Sequence, residues 1–429
     1  MSTAGIIAEY DPFHYGHLYQ LHKAREMTGA EEVLVVLGSD FLQRGTPSMV
    51  DKRTRARMAV DAGADLVLSL PFIYSSNSAR EYARGAVGIL AGTGCVDFLS
   101  FGSETADPAV LKSVASLMNR EQELSPLIRE SLAKGLSHAE SLTRAVETVG
   151  GKKAAELLRS PNDLLACEYI RFSEESGASF KIAPVKRTRS VRSAGQKPGS
   201  NGGEGDAGMP ERTDEGPDAA SCVSASQIRS LALNGGIAAA EPFVPASSFR
   251  ILEDCFGGEH PRAVIDDMDR RMIQFLRYRI LTSDRKDLSA ILSAGEGIEK
   301  RLMEAAADQE ISSVSQLADA VKTKRYTRSR VMRLLIHVLL GLRADDYNQL
   351  KGHYYARVLA FNEKGRKLLG RMRKTASIPV LSNLARLDRY DASTRRILEL
   401  DLRAAGMYAM LRGDSDLTGG EVKYVPYMK

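Results

Sequence analysis

Four short apolar runs, each followed by a helix-like stretch, fill the first hundred or so residues and constrain the fold more than any other feature. The runs are TAGIIAEY, EEVLVVLG, ADLVLSLP and VDFLSFGSE, and helices are predicted over 16–28, 51–62, 77–91 and 107–119. A run such as VLVVL is apolar throughout instead of alternating, as in strands covered on both faces, and a βαβα series of such runs predicts a doubly wound parallel sheet. Sheets of this kind hold ligands in the crevice beyond the carboxyl ends of their strands. Residues 121–177 read as helical and SFKIAPVKR as one more strand, so functional loops are expected after Tyr10, Leu37, Leu70, Phe101 and Val185.

Downstream the composition changes twice. Residues 190–222 are rich in Gly, Ser, Pro and acids and nearly lack large apolar groups, so they cannot pack a core. From about 261 strand signals nearly vanish. The predicted organisation is an α/β domain over 1–189, a flexible insertion over 190–222, the end of the α/β domain over 223–260, and an all-helical domain over 261–429. Charge follows the same division. Residues 261–429 carry 32 basic and 21 acidic side chains, net +11, against 27 and 33, net −6, in residues 1–260. Within the basic half, residues 321–390 hold 17 basic and 4 acidic side chains with Tyr326, Tyr354 and Tyr355 interleaved. That mixture suits a phosphate backbone with bases to stack on. Lys322, Lys324, Arg325, Arg328, Arg330 and Arg333, expected in one helical run, are the candidate RNA contacts.

Two motifs carry chemistry. H-x-G-H at 14–17 directly follows the first strand. Gly16 permits close backbone approach, the helix N-terminus offers unpaired N–H groups and a positive dipole end, and His14 and His17 can stabilise phosphate oxygens in a transition state. SASQIRS at 224–230 places Ser226 at a helix start and Arg229 one turn on, where both could hold the β and γ phosphates. Together they resemble the two halves of a HIGH-type nucleotidyltransferase site, a likeness that implies reaction of ATP at its α-phosphate with pyrophosphate leaving.

The blocks EYDPFHYGHLYQL, GSDFLQRGTPSMVDKRTRARMA, GADLVLSLPF, SNSAREYARGAVGIL, VDFLSFGSE, SPNDLLACEYI, VKR, SASQIR and YYARVLAFNEKGRKLL closely resemble the bacterial tRNA(Met) cytidine acetate ligases across almost the whole chain. The resemblance implies activation of acetate by ATP as acetyl-adenylate and acetylation of the wobble cytidine of elongator tRNA(Met) to N4-acetylcytidine, releasing AMP and pyrophosphate. It also implies ATP contacts from Ile7, Ala8, Glu9, Tyr10, Asp11, Pro12, Phe13, His14, Tyr15, Gly16, His17, Leu18, Tyr19 and Gln20, and from Gly102, Asn162 and Arg187. Asp40 stands where the family more often has asparagine, Ser69 where it often has glutamate, and the stretch after VKR replaces a Gly, Tyr and His-containing one.

On this reading His14, His17, Ser226 and Arg229 are catalytic, Lys23 helps hold pyrophosphate, and magnesium bridges the phosphates without an acidic cluster to mark its ligands. Asp11 and Asp40 are candidates, by position alone, for the base that receives the amine proton. Two alternatives stay open: an adenylyltransferase acting on a small phosphorylated cofactor, and a non-catalytic RNA-binding protein with a nucleotide site. No R-x-x-G-x-G/A signature for acetyl-CoA is present. Four cysteines stand far apart without a C-x-x-C pair, the N-terminus lacks a basic leader, and no apolar run approaches a membrane span. A cytoplasmic protein without metal ligands, disulfides or membrane contact is expected.

Overall fold

The computed structural model describes residues 1–187, 223–295, 297–384, 387–417 and 419–429; the predicted insertion over 190–222 lies outside them. One sheet organises the molecule. Its strands are β1 (Thr3–Ala8), β2 (Glu32–Leu37), β3 (Leu66–Ser69), β4 (Phe98–Ser103), β5 (Lys181–Lys186), β6 (Ala356–Phe361), β7 (Val380–Leu381) and β8 (Tyr427–Met428). They lie in the order β5-β4-β1-β2-β3-β6-β7, with β8 also on β6. The first five are mutually parallel, and strand order reverses between β1 and β4. The doubly wound sheet is the predicted one, and its switch point is the end of the strand that precedes H-x-G-H.

The period of two along β2 explains why both faces must be covered. Val33, Val35 and Leu37 point into a core with Leu21, Met58, Ile228 and Leu252. Leu34 and Val36 point into the opposite core with Leu68, Tyr74 and Ile89, which continues into the C-terminal helices through Leu276, Leu335 and Leu398. Gly85 and Gly88 on the Ala79–Gly92 helix make the second packing possible, since a Cβ would lie 2.3 Å from Tyr74 and 2.5 Å from Tyr354 respectively.

The region from 261 is helical apart from β6, β7 and β8, and these strands differ from the strand-free reading of the sequence. β6 pairs antiparallel with β3, Leu66 opposite Phe361 and Ser69 opposite Arg357, which extends the sheet past its parallel edge. ARVLAF is too short for periodicity to separate strand from helix. Its partner is an edge formed almost 300 residues earlier, a relation invisible to local pattern. Among the described residues no helix is long and apolar enough to cross a membrane.

Candidate active site at the sheet switch point

Each half of H-x-G-H caps the other. His14 is the N-cap of the Tyr15–Thr28 helix; its Nδ1 accepts the Gly16 N–H at 3.0 Å, and His17 Nδ1 accepts the His14 backbone N–H at 3.3 Å. A ring nitrogen that accepts cannot carry the proton, so neutral His14 and His17 both keep it on Nε2. Neutral is the state the surroundings impose. Burial, then Arg187 and Arg229, push His14 down to about 3, and burial, then His14 and Arg187, hold His17 well below its ordinary value. The rings stack with centroids 3.7 Å apart over a floor of Tyr10 and Phe13, whose rings lie 4.7 and 5.6 Å from that of His17. The result is two adjacent N–H donors beside two guanidinium groups, a cradle for phosphate oxygens.

The second motif docks onto the first. Ser224 is the N-cap of the Ala225–Gly235 helix in a capping box with Gln227; Ser226 is exposed in its first turn, with its Oγ 3.2 Å from Ser224 Oγ. Arg229 reaches back to the β1 turn, donating to the Asp11 carbonyl at 2.5 Å and pairing with Asp11 Oδ2 at 3.2 Å. Asp11 Oδ1 accepts the Met49 N–H at 2.7 Å.

Across the crevice, Glu104 gathers the remaining predicted residues. It accepts from Ser160 Oγ at 2.5 Å and Asn162 Nδ2 at 2.6 Å, and Arg187 Nε lies 3.7 Å away. Asn162 Oδ1 is thereby left without a partner among the described residues. Gly102 gives Arg187 its place: a Cβ there would come within 3.2 Å of Arg187 Cγ. Glu104 escaped the sequence reading although it stands two residues after Gly102 in FGSE, where an acid just past a strand's end was the available signal. Glu9 is a second half-buried acid of the crevice. Burial raises its carboxyl above the usual range even though it accepts the Gln43 N–H at 2.7 Å. Arg55, fully buried, ties this loop to β1 by donating to the carbonyls of Glu9, Ser39 and Val50.

A family model described as HIGH Nucleotidyl Transferase matches residues 1–199 and 211–419. The chain belongs to the HIGH nucleotidyl transferase family. It is similar to the tRNA(Met) cytidine acetate ligase of Thermoanaerobacter sp. strain X514, at 30% identity over 98% of each chain. It is likewise similar to that of Clostridium kluyveri, at 32% identity over 96% of this chain and 95% of the relative. The crystal structure of Thermotoga maritima TmcAL bound with alpha-thio ATP matches with a TM-score of 0.84 at 28% identity, covering 100% of this chain and 99% of that one.

Other expected site residues of this HIGH nucleotidyl transferase have different surroundings. Within the segment Ile7–Gln20, Ile7, Tyr10 and Phe13 are core residues and Leu18 packs against the core. Lys23 pairs with Glu26 at 2.6 Å on the helix surface. Asp40 is no solvated turn residue: it is buried, and Lys52 binds it by both its backbone N–H, at 2.7 Å, and its Nζ, at 2.8 Å. Burial alone would raise the Asp40 carboxyl, but Lys52 and Arg55 outweigh it and hold it below the usual range. So held, the Asp40 carboxylate is a weak proton acceptor. Among the described residues no three His, Cys, Asp or Glu side chains form a set that could hold a metal ion.

The basic run is not one helix. Lys322 caps the Val314–Val321 helix, Lys324 and Arg325 lie in the following loop, and Arg328, Arg330 and Arg333 belong to the Arg328–Leu340 helix. Thr327, at the second N-cap, is extended and separates the two helices. Lys322 and Arg328 both pair with Asp319, at 2.8 and 3.5 Å, and Arg330 stacks over Tyr326 at 3.9 Å. Arg333 is drawn inward beside the crevice, with Nη1 3.5 Å from the Gln43 carbonyl, where burial and Arg330 push it down to about 10. Tyr326 and Tyr355 are buried, donating to the Gly295 carbonyl and to Asp401, and so offer no ring to a base.

Proposed function

We propose that the chain is an ATP-dependent ligase that activates acetate as acetyl-adenylate and acetylates the wobble cytidine of elongator tRNA(Met), giving N4-acetylcytidine, AMP and pyrophosphate. The observation that carries this reading is the convergence of the stacked, neutral His14 and His17 with Arg187 and Arg229 at the β1/β4 switch point. Relatives similar over almost their whole length bear the name of that activity, and a solved relative binds an ATP analogue.

Acetate is a poor electrophile because its charge deactivates the carbonyl, so it must become an anhydride before an amine can attack. In the first step an acetate oxygen bonds to the α-phosphorus as the bond to pyrophosphate breaks. The Nε2–H groups of His14 and His17 donate to α-phosphate and bridging oxygens as charge grows there; being neutral, they act as hydrogen-bond donors and not as counter-charges. Arg229 and Ser226 hold the departing pyrophosphate, while Arg187, set by Gly102 and Glu104, and the free Asn162 Oδ1 hold the nucleotide. Magnesium carried in on the triphosphate would supply charge neutralisation there, with no side-chain cluster among the described residues to hold it. In the second step the cytidine amine bonds to the acetyl carbon, AMP leaves, and the amine loses a proton. The nucleobase is presented from a single-stranded loop, where leaving the stack is easiest. Lys322, Lys324, Arg325, Arg328 and Arg330 grip the RNA backbone beside the crevice, and Arg333 faces its entrance. Such a protein acts in the cytoplasm, where its tRNA is.

The deciding experiment is transfer of label from acetate to total tRNA with ATP, run beside acetyl-CoA without ATP and followed by nucleoside digestion. Label in N4-acetylcytidine only with acetate and ATP is the expected result. Acetate-dependent AMP release without labelled RNA would move the acceptor elsewhere; neither signal would defeat the reading.

A further inference from the structure

The Glu363–Thr375 helix, EKGRKLLGRMRKT, carries six cations and one acid, and the site described above uses none of them. It buries Leu368 and Met372 under the sheet and turns Lys364, Arg366, Lys367, Gly370, Arg373 and Lys374 to solvent. Arg371 is the inward exception, on Thr3 and Glu32. Arg366 pairs with Glu363 at 3.0 Å and Lys364 donates to the Glu31 carbonyl at 3.2 Å, while Lys367, Arg373 and Lys374 make no ion pair among the described residues. Like charges three and four residues apart weaken a helix, so the composition calls for an external counter-charge.

The helix's two glycines differ in a telling way. Gly365 is required by packing, since a Cβ would lie 1.9 Å from the Asp65 carbonyl oxygen. Gly370 has no such reason: nothing lies within 4 Å of a Cβ there. A glycine in an exposed helix interior is disfavoured relative to alanine. Here it leaves bare backbone between Arg366 and Lys367 on one side and Arg373 and Lys374 on the other, where a phosphodiester chain could lie close.

Position decides which RNA segment this face could meet. Asn362 donates to Asp65 ahead of β3, Arg371 to Thr3 and Glu32 at the starts of β1 and β2, and Thr375 to the Thr93 carbonyl ahead of β4. The helix therefore follows the edge of the sheet opposite the crevice, separated from it by the strands' length, about 20 Å for six residues. We infer that this face is a second tRNA contact, which binds the phosphate backbone outside the anticodon loop. The inference rests on the tRNA reading proposed above and adds to it a separate surface and a different part of the RNA.

The test compares full-length tRNA(Met) with its isolated anticodon stem-loop for the intact chain and for the variant Lys367→Gln, Arg373→Gln, Lys374→Gln. The variant should bind full-length tRNA at least tenfold more weakly at low salt, and the slope of log Kd against log salt should fall by about 2 to 3. Stem-loop affinity should stay within twofold, and the charge-keeping variant Lys367→Arg, Lys374→Arg should bind both RNAs as the wild type does. Equal losses for both RNAs, or no loss for either, would overturn the inference. So would binding to phosphatidylserine vesicles that depends on these residues while tRNA affinity does not. Wild-type protein that binds neither RNA would instead defeat the tRNA reading, and this inference with it.

Discussion

His14 and His17 stack at 3.7 Å with ring planes 29° apart, and the Nδ1 of each accepts a backbone N–H at the start of the same helix. The pair is thus fixed in orientation and in tautomer before any ligand arrives, and burial keeps it neutral far below pH 6.5. Acetate-dependent pyrophosphate exchange should consequently hold its rate from about pH 8 to about pH 5.5, since neither ring of this pair changes state in that window. A rate that fell as pH rose through 6.5 would mean that an imidazolium does the work. Stability should move even though activity does not. The folded values lie below the unfolded one, so unfolding takes up protons as pH falls below about 6.5, and each ring removes about 1.4 kcal/mol per pH unit until its folded value is reached, about 3 for His14. Denaturant melts at pH 6.5 and 5.5 should differ accordingly.

Arg229 ties the SASQIR helix to the β1 turn through the Asp11 carbonyl and carboxylate. Replacing it with glutamine removes both the tie and a phosphate donor, and pyrophosphate exchange should fall by about 10²-fold or more. Lysine keeps the charge but cannot span Asp11 and a phosphate with a planar fork, so Arg229→Lys should recover only part of that loss. Equal rates for lysine and arginine would show that charge alone matters.

Glu104 holds Ser160 and Asn162 and faces Arg187, so its removal should loosen the nucleotide-binding wall as a unit. Glu104→Ala should raise KM for ATP by about tenfold with a smaller change in kcat, the signature of lost ground-state binding. Adding Asn162→Ala to Glu104→Ala should cost less than the sum of the separate effects, because both act through one contact. Strict additivity would place Asn162 outside this network.

How far the sequence could be read depended on the reach of each signal. The parallel sheet was legible because buried strands such as VLVVL announce themselves locally, and H-x-G-H because a strand, a glycine and a helix start adjoin. Glu104 was missed because its significance comes from Ser160 and Asn162, more than fifty residues away. β6 was missed for the same reason, its partner β3 being closed only by the fold. Tyr326 and Tyr355 were misjudged because composition cannot tell an exposed ring from one whose hydroxyl is satisfied in the core.

Asp40 gives the clearest case of a residue whose role changes once its partners are known, and it yields a stability prediction. Lys52 Nζ lies 2.8 Å from both Asp40 and Glu421, and Arg357 pairs with Glu421 at 2.6 Å, so two cations and two acids form a buried, neutral set that joins the first loops to β6 and the C-terminal segment. Removing one member leaves a buried charge uncompensated. Lys52→Met should therefore destabilise the fold by about 3–5 kcal/mol. Asp40→Asn should do less harm, because Glu421 still holds Lys52, and the pair of changes together should fall short of their sum. The Asp40 carboxyl is held below its unfolded value, so its contribution is present above about pH 4 and is lost as pH falls through the folded value; the wild-type advantage over Asp40→Asn should fade in acid. Thermal melts of the three variants at pH 7 and in acid measure all of this, and pyrophosphate exchange supplies the control. An Asp40→Asn protein with wild-type stability but no acetyl transfer would return Asp40 to the reaction and take the structural role from it.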